Sequence, residues 1–116
     1  MIEQGNLILV PFPFSDQSGR KVRPVVVLSN DEFNEHSQDI IAVGITSNIS
    51  KDRYSLNLDN RDLKEGKLVT RCVIKVENIL RLDKSLIIKK IGKIKEEKLD
   101  KIIRIFNEII KGQQKP

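Results

Sequence analysis

Arg23 stands first among the side chains able to do chemistry. It opens the segment RPVVVLS (23–29), so it sits where a polar loop enters an apolar run. A guanidinium on so rigid a mount is able to hold a phosphate through two parallel hydrogen bonds, or to tie down the loop before it. Thr46 and Ser47, followed by Asn48, end a second apolar run, IIAVGIT (40–46). Their hydroxyls and the neighbouring backbone N–H groups make either an anion cradle or an ordinary turn, since Ser, Thr and Asn favour both. Lys75 and Glu77 lie two apart on an expected strand and share one face of it. That face is either a solvent-exposed pair or part of a charged groove.

Other chemistries drop out. One cysteine, Cys72, and one histidine, His36, among 116 residues give neither an internal disulfide nor a transition-metal centre. Cys72 reads as a small buried apolar residue, and His36, within DEFNEHSQ, as a surface residue. No glycine-rich phosphate loop occurs, so no metal and no cofactor are expected. No apolar run approaches membrane-spanning length, and the opening MIEQGNLILV lacks the basic region of a secretory signal. The expected setting is the reducing cytoplasm, away from membranes. Charge is divided along the chain: residues 1–63 hold 6 basic and 9 acidic side chains, and residues 64–116 hold 15 and 7. The basic half suits a polyanionic partner such as nucleic acid, or is a solvated lysine-rich surface.

The elements that must position these groups are mostly strands. The chain has 17 Ile, 11 Leu and 9 Val against a single Ala, Ala42, and β-branched side chains favour a pleated, packed surface. Strands are expected at 6–10, 23–29, 40–46, 54–58, within 68–82 and within 86–94. Pro11 and Pro13 should break the first ladder, 64–66 should be a turn, and 30–38 is turn-rich with room for one helical turn. Leu99, Ile102, Ile103, Phe106, Ile109 and Ile110 recur at helical spacing and form one apolar stripe, with Gly112 as the stop. The expectation is a small β-barrel or strongly bent sheet in one domain, residues 1–111, with a C-terminal amphipathic helix over one opening and a loose tail at 112–116.

Taken together, the segments resemble the MazF/PemK family of type II toxin–antitoxin toxins over almost the whole length. Gly5 leads into a strand and then PFPFSD (11–16), as in one large branch of that family. A polar loop with Gln17, Ser18 and Gly19 leads into RPVVVLS. ITS (45–47), LDKS (82–85) and KKIGKI (89–94) follow in order before the final helix. The resemblance implies an SH3-like β-barrel, a homodimer, and a cognate antitoxin that blocks the site with a flexible, often acidic segment. It implies a sequence-specific, metal-independent endoribonuclease acting on single-stranded RNA, usually messenger RNA. Arg23 matches the arginine of the RP motif, with a role in phosphate binding and acid–base work. Thr46 matches the threonine that helps hold the scissile phosphate, with Ser47 beside it. Lys75 and Glu77 fall where some members carry a basic and an acidic residue of the active face, and Glu77 is the candidate base. Asp16 and Gln17, with Ser18 and Gly19, fall in the loop that contacts RNA. The stretch SGRKV (18–22) lacks the loop carboxylate that some relatives carry nearer the RP motif.

Two further readings compete. One is a non-catalytic RNA-binding barrel that would use aromatic stacking, for which only Phe12, Phe14, Phe33 and Tyr54 are candidates. The other is a protein-directed toxin resembling the gyrase poisons. Those act through aromatic and small residues at the end of the last helix, where this chain reads FNEIIKGQQKP without a Trp.

Overall fold

The computed structural model describes residues 1–12, 21–48 and 52–112. Seven strands, β1 (Asn6–Phe12), β2 (Lys21–Val27), β3 (Asp39–Thr46), β4 (Ser55–Leu58), β5 (Leu63–Gly66), β6 (Cys72–Asp83) and β7 (Lys89–Ile94), form one antiparallel sheet. Their order across it is β4-β6-β3-β2-β1-β7-β5. A short helix, α1 (Asp31–His36), joins β2 to β3, and α2 (Glu96–Lys111) follows β7.

One apolar cluster holds Leu58 of β4, Ile74 of β6, Val43 of β3, Val26 of β2, Leu7 of β1 and Ile94 of β7. Leu63 of β5 packs against it, and Leu99 and Ile102 come from α2. Laid flat, six gaps of about 4.8 Å would spread these strands over roughly 29 Å, too far for one cluster beside one helix to touch them all. The sheet therefore curls around its core as a half-barrel, and α2 fills the concave side. Ile8, Val10, Val25, Val27, Ile40, Ala42 and Leu82 form a second cluster, on the opposite face of the central strands. Burial on both faces explains why β1 to β3 read as unbroken apolar runs rather than alternating ones.

Three local expectations need correction. β1 runs through Pro11 to Phe12, paired to Val22 and Lys21 of β2. Leu9, which faces the same side as Pro11, accepts from the Ile88 N–H, but pairing to β7 stops at Leu9. The missing N–H of Pro11 thus points where no ladder continues. Residues 64–66 are not a turn but most of β5, paired to β7. On α2, Ile110 is turned to solvent, while Ile105, three residues after Ile102 and four before Ile109, joins the packed stripe. Gly112 does end that helix, at a φ of 71°. Pro13 and the tail at 113–116 lie outside the described residues.

Gly66 and Gly92 are paired across β5 and β7. Gly66 has a φ of 87°, and a Cβ there would stand 2.2 Å from the Ile91 carbonyl oxygen and 2.6 Å from the Gly92 Cα. At Gly112 the φ is also positive, but nothing lies within 4 Å of such an atom. Gly112, at φ 71° and ψ 178°, lies in a backbone region that only glycine enters freely, so Gly112→Ala should cost about 1 kcal/mol of backbone strain, and Gly66→Ala about 3 kcal/mol, because neighbouring backbone must also move. Urea unfolding of both variants checks this; equal losses would mean that the close approach of β5 and β7 carries no energy.

Candidate active site

The site begins with a proline. Even-numbered residues of β2 direct their backbone groups toward β3, as the Leu28 N–H does in donating to the Ile41 carbonyl at 2.8 Å. Pro24 faces the same way and has nothing to donate. Pairing of β2 with β3 accordingly starts only at Val25↔Gly44 and runs to Val27↔Ala42. Beyond Pro24 the two strands part, and clefts open in the split.

One cleft, of about 320 Å³, is lined by Arg23, Gly44, Ile45, Thr46, Asn48, Lys75 and Asn78. Parity along the strands places it. Arg23 shares a face with Val25 and Val27, Thr46 shares one with Ala42, and Lys75 stands opposite Gly44. All belong to the face away from α2. The other cleft, of about 360 Å³, opens on the α2 side and is lined by Val22, Arg23, Pro24, Ile45, Ser47, Leu68, Val69, Thr70 and Cys72. Arg23 borders both. Thr46 and Ser47, adjacent in sequence, line different clefts.

The structure thus brings Arg23, Thr46 and Lys75 together around one cleft, and sets Ser47 beside Arg23 in the other, away from Thr46 and Lys75. Glu77 does not line the polar cleft; its carboxylate stands 3.6 Å from the Lys75 ammonium. Asp16, Gln17, Ser18 and Gly19 lie outside the described residues, as does Phe14. Phe33 sits on α1, and Tyr54 lies under the Arg53 guanidinium, 5.3 Å from ring centre to Cζ. Neither lines the polar cleft. Cys72 is buried, and that burial pushes its thiol up.

Asn48, which the sequence places beside Thr46 and Ser47, gains a defined part, and two participants, Asp52 and Asn78, carry no sign of a role in the sequence. Asn48 donates its N–H to Thr46 Oγ1 at 3.1 Å and so orients the hydroxyl. Asp52 pairs directly with Lys75 Nζ while its other oxygen accepts from the Tyr54 N–H at 3.1 Å. Asn78 comes from a bulge in β6. Val43 faces Ile79 but the next residue, Gly44, faces Lys75, so Val76, Glu77 and Asn78 are extra on the β6 side. A poor strand former at 78 inside an apolar run was the one local sign of it.

The electrostatics fix the state of Lys75. The hydrogen bond to Asp52, then the Asp52 and Glu77 charges, raise the ammonium above its ordinary value, against the opposing effect of desolvation. The same hydrogen bond, seconded by Tyr54, lowers the Asp52 carboxyl. Lys75 is therefore a permanent cation at the cleft, suited to attracting an anion and unsuited to removing a proton. Arg23 adds a second cation and Thr46 a hydroxyl donor. Among the described residues, no group of three or more His, Cys, Asp or Glu side chains gathers as metal ligands would, and no helix is long and apolar enough to cross a membrane.

Residues 3–110 match the model of the family described as PemK-like, MazF-like toxin of type II toxin–antitoxin system. The chain belongs to this family. Solved MazF structures share its fold. A MazE–MazF complex from Deinococcus radiodurans superposes with a TM-score of 0.79 at 17% identity, covering 97% of each chain. An endoribonuclease in complex with its cognate antitoxin, from a mycobacterial species, gives 0.75 at 16% identity and covers both chains fully. The Mycobacterium tuberculosis toxin MazF-mt6 gives 0.76 at 13% identity, over 94% of this chain and 99% of the other. The expected family, and the mostly β fold with a C-terminal helix, are borne out.

The ion pair sets a pH window. Asp52, lowered in the folded state, contributes stability that is present above its ordinary value of 3.8 and lost as pH falls through the lower folded value. Lys75, raised, contributes stability that is present below 10.5 and lost as pH rises through the higher one. Stability curves of the parent and Lys75→Met should run parallel from pH 5 to 9 and converge below pH 4. Divergence near neutrality in chemical unfolding would contradict this assignment.

Proposed function

We propose that this toxin-family chain is a sequence-specific, metal-independent endoribonuclease that cuts single-stranded RNA, acts as a homodimer, and is held inactive by a cognate antitoxin. The observation that carries the reading is the split between β2 and β3. It gathers Arg23, Thr46 and Lys75, two cations and a hydroxyl, around one open cleft. Such a set fits a phosphodiester and leaves room for chain on either side. The acidic character of a flexible antitoxin segment would suit the same two cations.

RNA supplies its own nucleophile. In the proposed reaction the 2′-oxygen attacks the adjacent phosphorus as its proton leaves to Glu77, the bond from phosphorus to the 5′-oxygen breaks, and that oxygen takes up a proton from water. The ends are a 2′,3′-cyclic phosphate and a 5′-hydroxyl. Charge gathers on the phosphoryl oxygens, where Arg23 and Lys75 would oppose it and Thr46 Oγ1, aligned by Asn48, would donate. Lys75 also keeps Glu77 near the rim of the cleft. Arg23 serves as an electrostatic clamp in this scheme. Asp16, Gln17, Ser18, Gly19 and Ser47 are proposed to contact RNA around the reacting phosphate.

The test is cleavage of a long single-stranded RNA in EDTA, with the 5′ ends mapped. The parent should give discrete cuts ending in 5′-hydroxyls. Arg23→Ala should lose about 10²- to 10³-fold in rate, as for removal of a transition-state donor. Thr46→Ala should lose roughly tenfold to a hundredfold, the equivalent of a charge-assisted hydrogen bond of about 1.5–3 kcal/mol. A folded parent, free of antitoxin, that cuts none of several unrelated RNAs would overturn the reading.

A further inference from the structure

The bulge in β6 does something the cations do not. Arg23 and Lys75 would attract any phosphate and therefore any sequence. Asn78 lines the same cleft with a neutral carboxamide, which carries an acceptor and two donors and enters no hydrogen bond among the described residues. The three extra residues of β6 carry it there. In an unbroken ladder Val43 would face Val76, and Asn78 would sit further along the strand.

Gly44 makes the space. A Cβ at that position would stand 3.3 Å from the Asn78 Cβ and 3.4 Å from its Nδ2. The φ of Gly44 is not among the positive ones, so what this glycine contributes is room rather than backbone freedom. The bulge and the glycine together hold one neutral, two-way hydrogen-bonding group beside the phosphate clamp.

We infer that Asn78 reads the edge of one base next to the scissile phosphate and so sets part of the cut sequence; this rests on the endoribonuclease reading above. Bases of single-stranded RNA expose their Watson–Crick and Hoogsteen edges. A carboxamide fits an edge that presents a donor beside an acceptor. A carboxylate in its place accepts only, and fits the two adjacent donors, N1–H and N2–H, of guanine.

The experiment compares the parent with Asn78→Ala, Asn78→Asp and Gly44→Ala, checking that each unfolds cooperatively. Sequence preference is measured twice: by mapped cuts in a long RNA, and by binding to a randomised pool of short single-stranded RNAs. Asn78→Ala should relax one position of the preference, with rates at the newly accepted sites within about threefold of the parent at its own site. Asn78→Asp should turn that position toward guanine. Gly44→Ala, which keeps Asn78 but crowds it, should relax the same position. An Asn78→Ala variant that keeps the parent's preference, or loses rate equally at every site, overturns the inference. If the parent cuts nothing but the pool yields a preference that Asn78→Ala relaxes, the endoribonuclease reading falls and the base-reading role stands. If the parent neither cuts nor selects from the pool, both fall.

Discussion

The absence of one N–H organises this molecule's working face. Between β2 and β3 the ladder is ordinary from Val27 back to Val25, and at Pro24 it meets a residue with no N–H to donate. A sheet that cannot pair must open. The opening lies beside the most deeply packed part of the protein, since Val25, Val26 and Val27 are fully buried. Arg23 is thus mounted on a rigid base with a gap beside it. Flexibility is not required for access, because the covalent structure of one residue provides it.

The second strand break, in β6, complements the first. Pro24 removes a hydrogen bond and the bulge adds residues, and both act on the neighbours of β3 near Gly44. Lys75 flanks the bulge and Asn78 is its last residue, while Asp52, just before β4, pairs with the ammonium. The site is therefore assembled from irregularities in a sheet whose regular parts do the packing. Strand edges and bulges commonly re-aim side chains in this way.

How far the sequence disclosed this follows from the range of each interaction. Arg23 and Thr46 were legible because their signals are local: a polar residue at the end of a long apolar run. The helix was legible from its period, apart from the swap of Ile105 for Ile110, which stand at opposite margins of the stripe. Asp52 and Asn78 were not. Asp52 matters only through Lys75, 23 residues away, and Asn78 only through a register jump opposite Gly44. LKEG carries turn residues and so reads as a turn, while the partner that makes it β5, Lys93, is distant in the chain. Tertiary pairing decided each of these, and no window of neighbouring residues contains it.

The pairing of β1 with β7 bears on how the protein is made. Leu7 lies beside Gly92, so the second strand to flank β1 is made only after β2 to β6. β1, β2, β3 and β6 are able to associate earlier, but β5 has no place until β7 arrives, and α2 follows later still. A nascent chain thus carries an open strand edge and an uncovered concave core until β7 and α2 are made, a state prone to association with other chains. A product cut short before β7 would be left with that edge exposed.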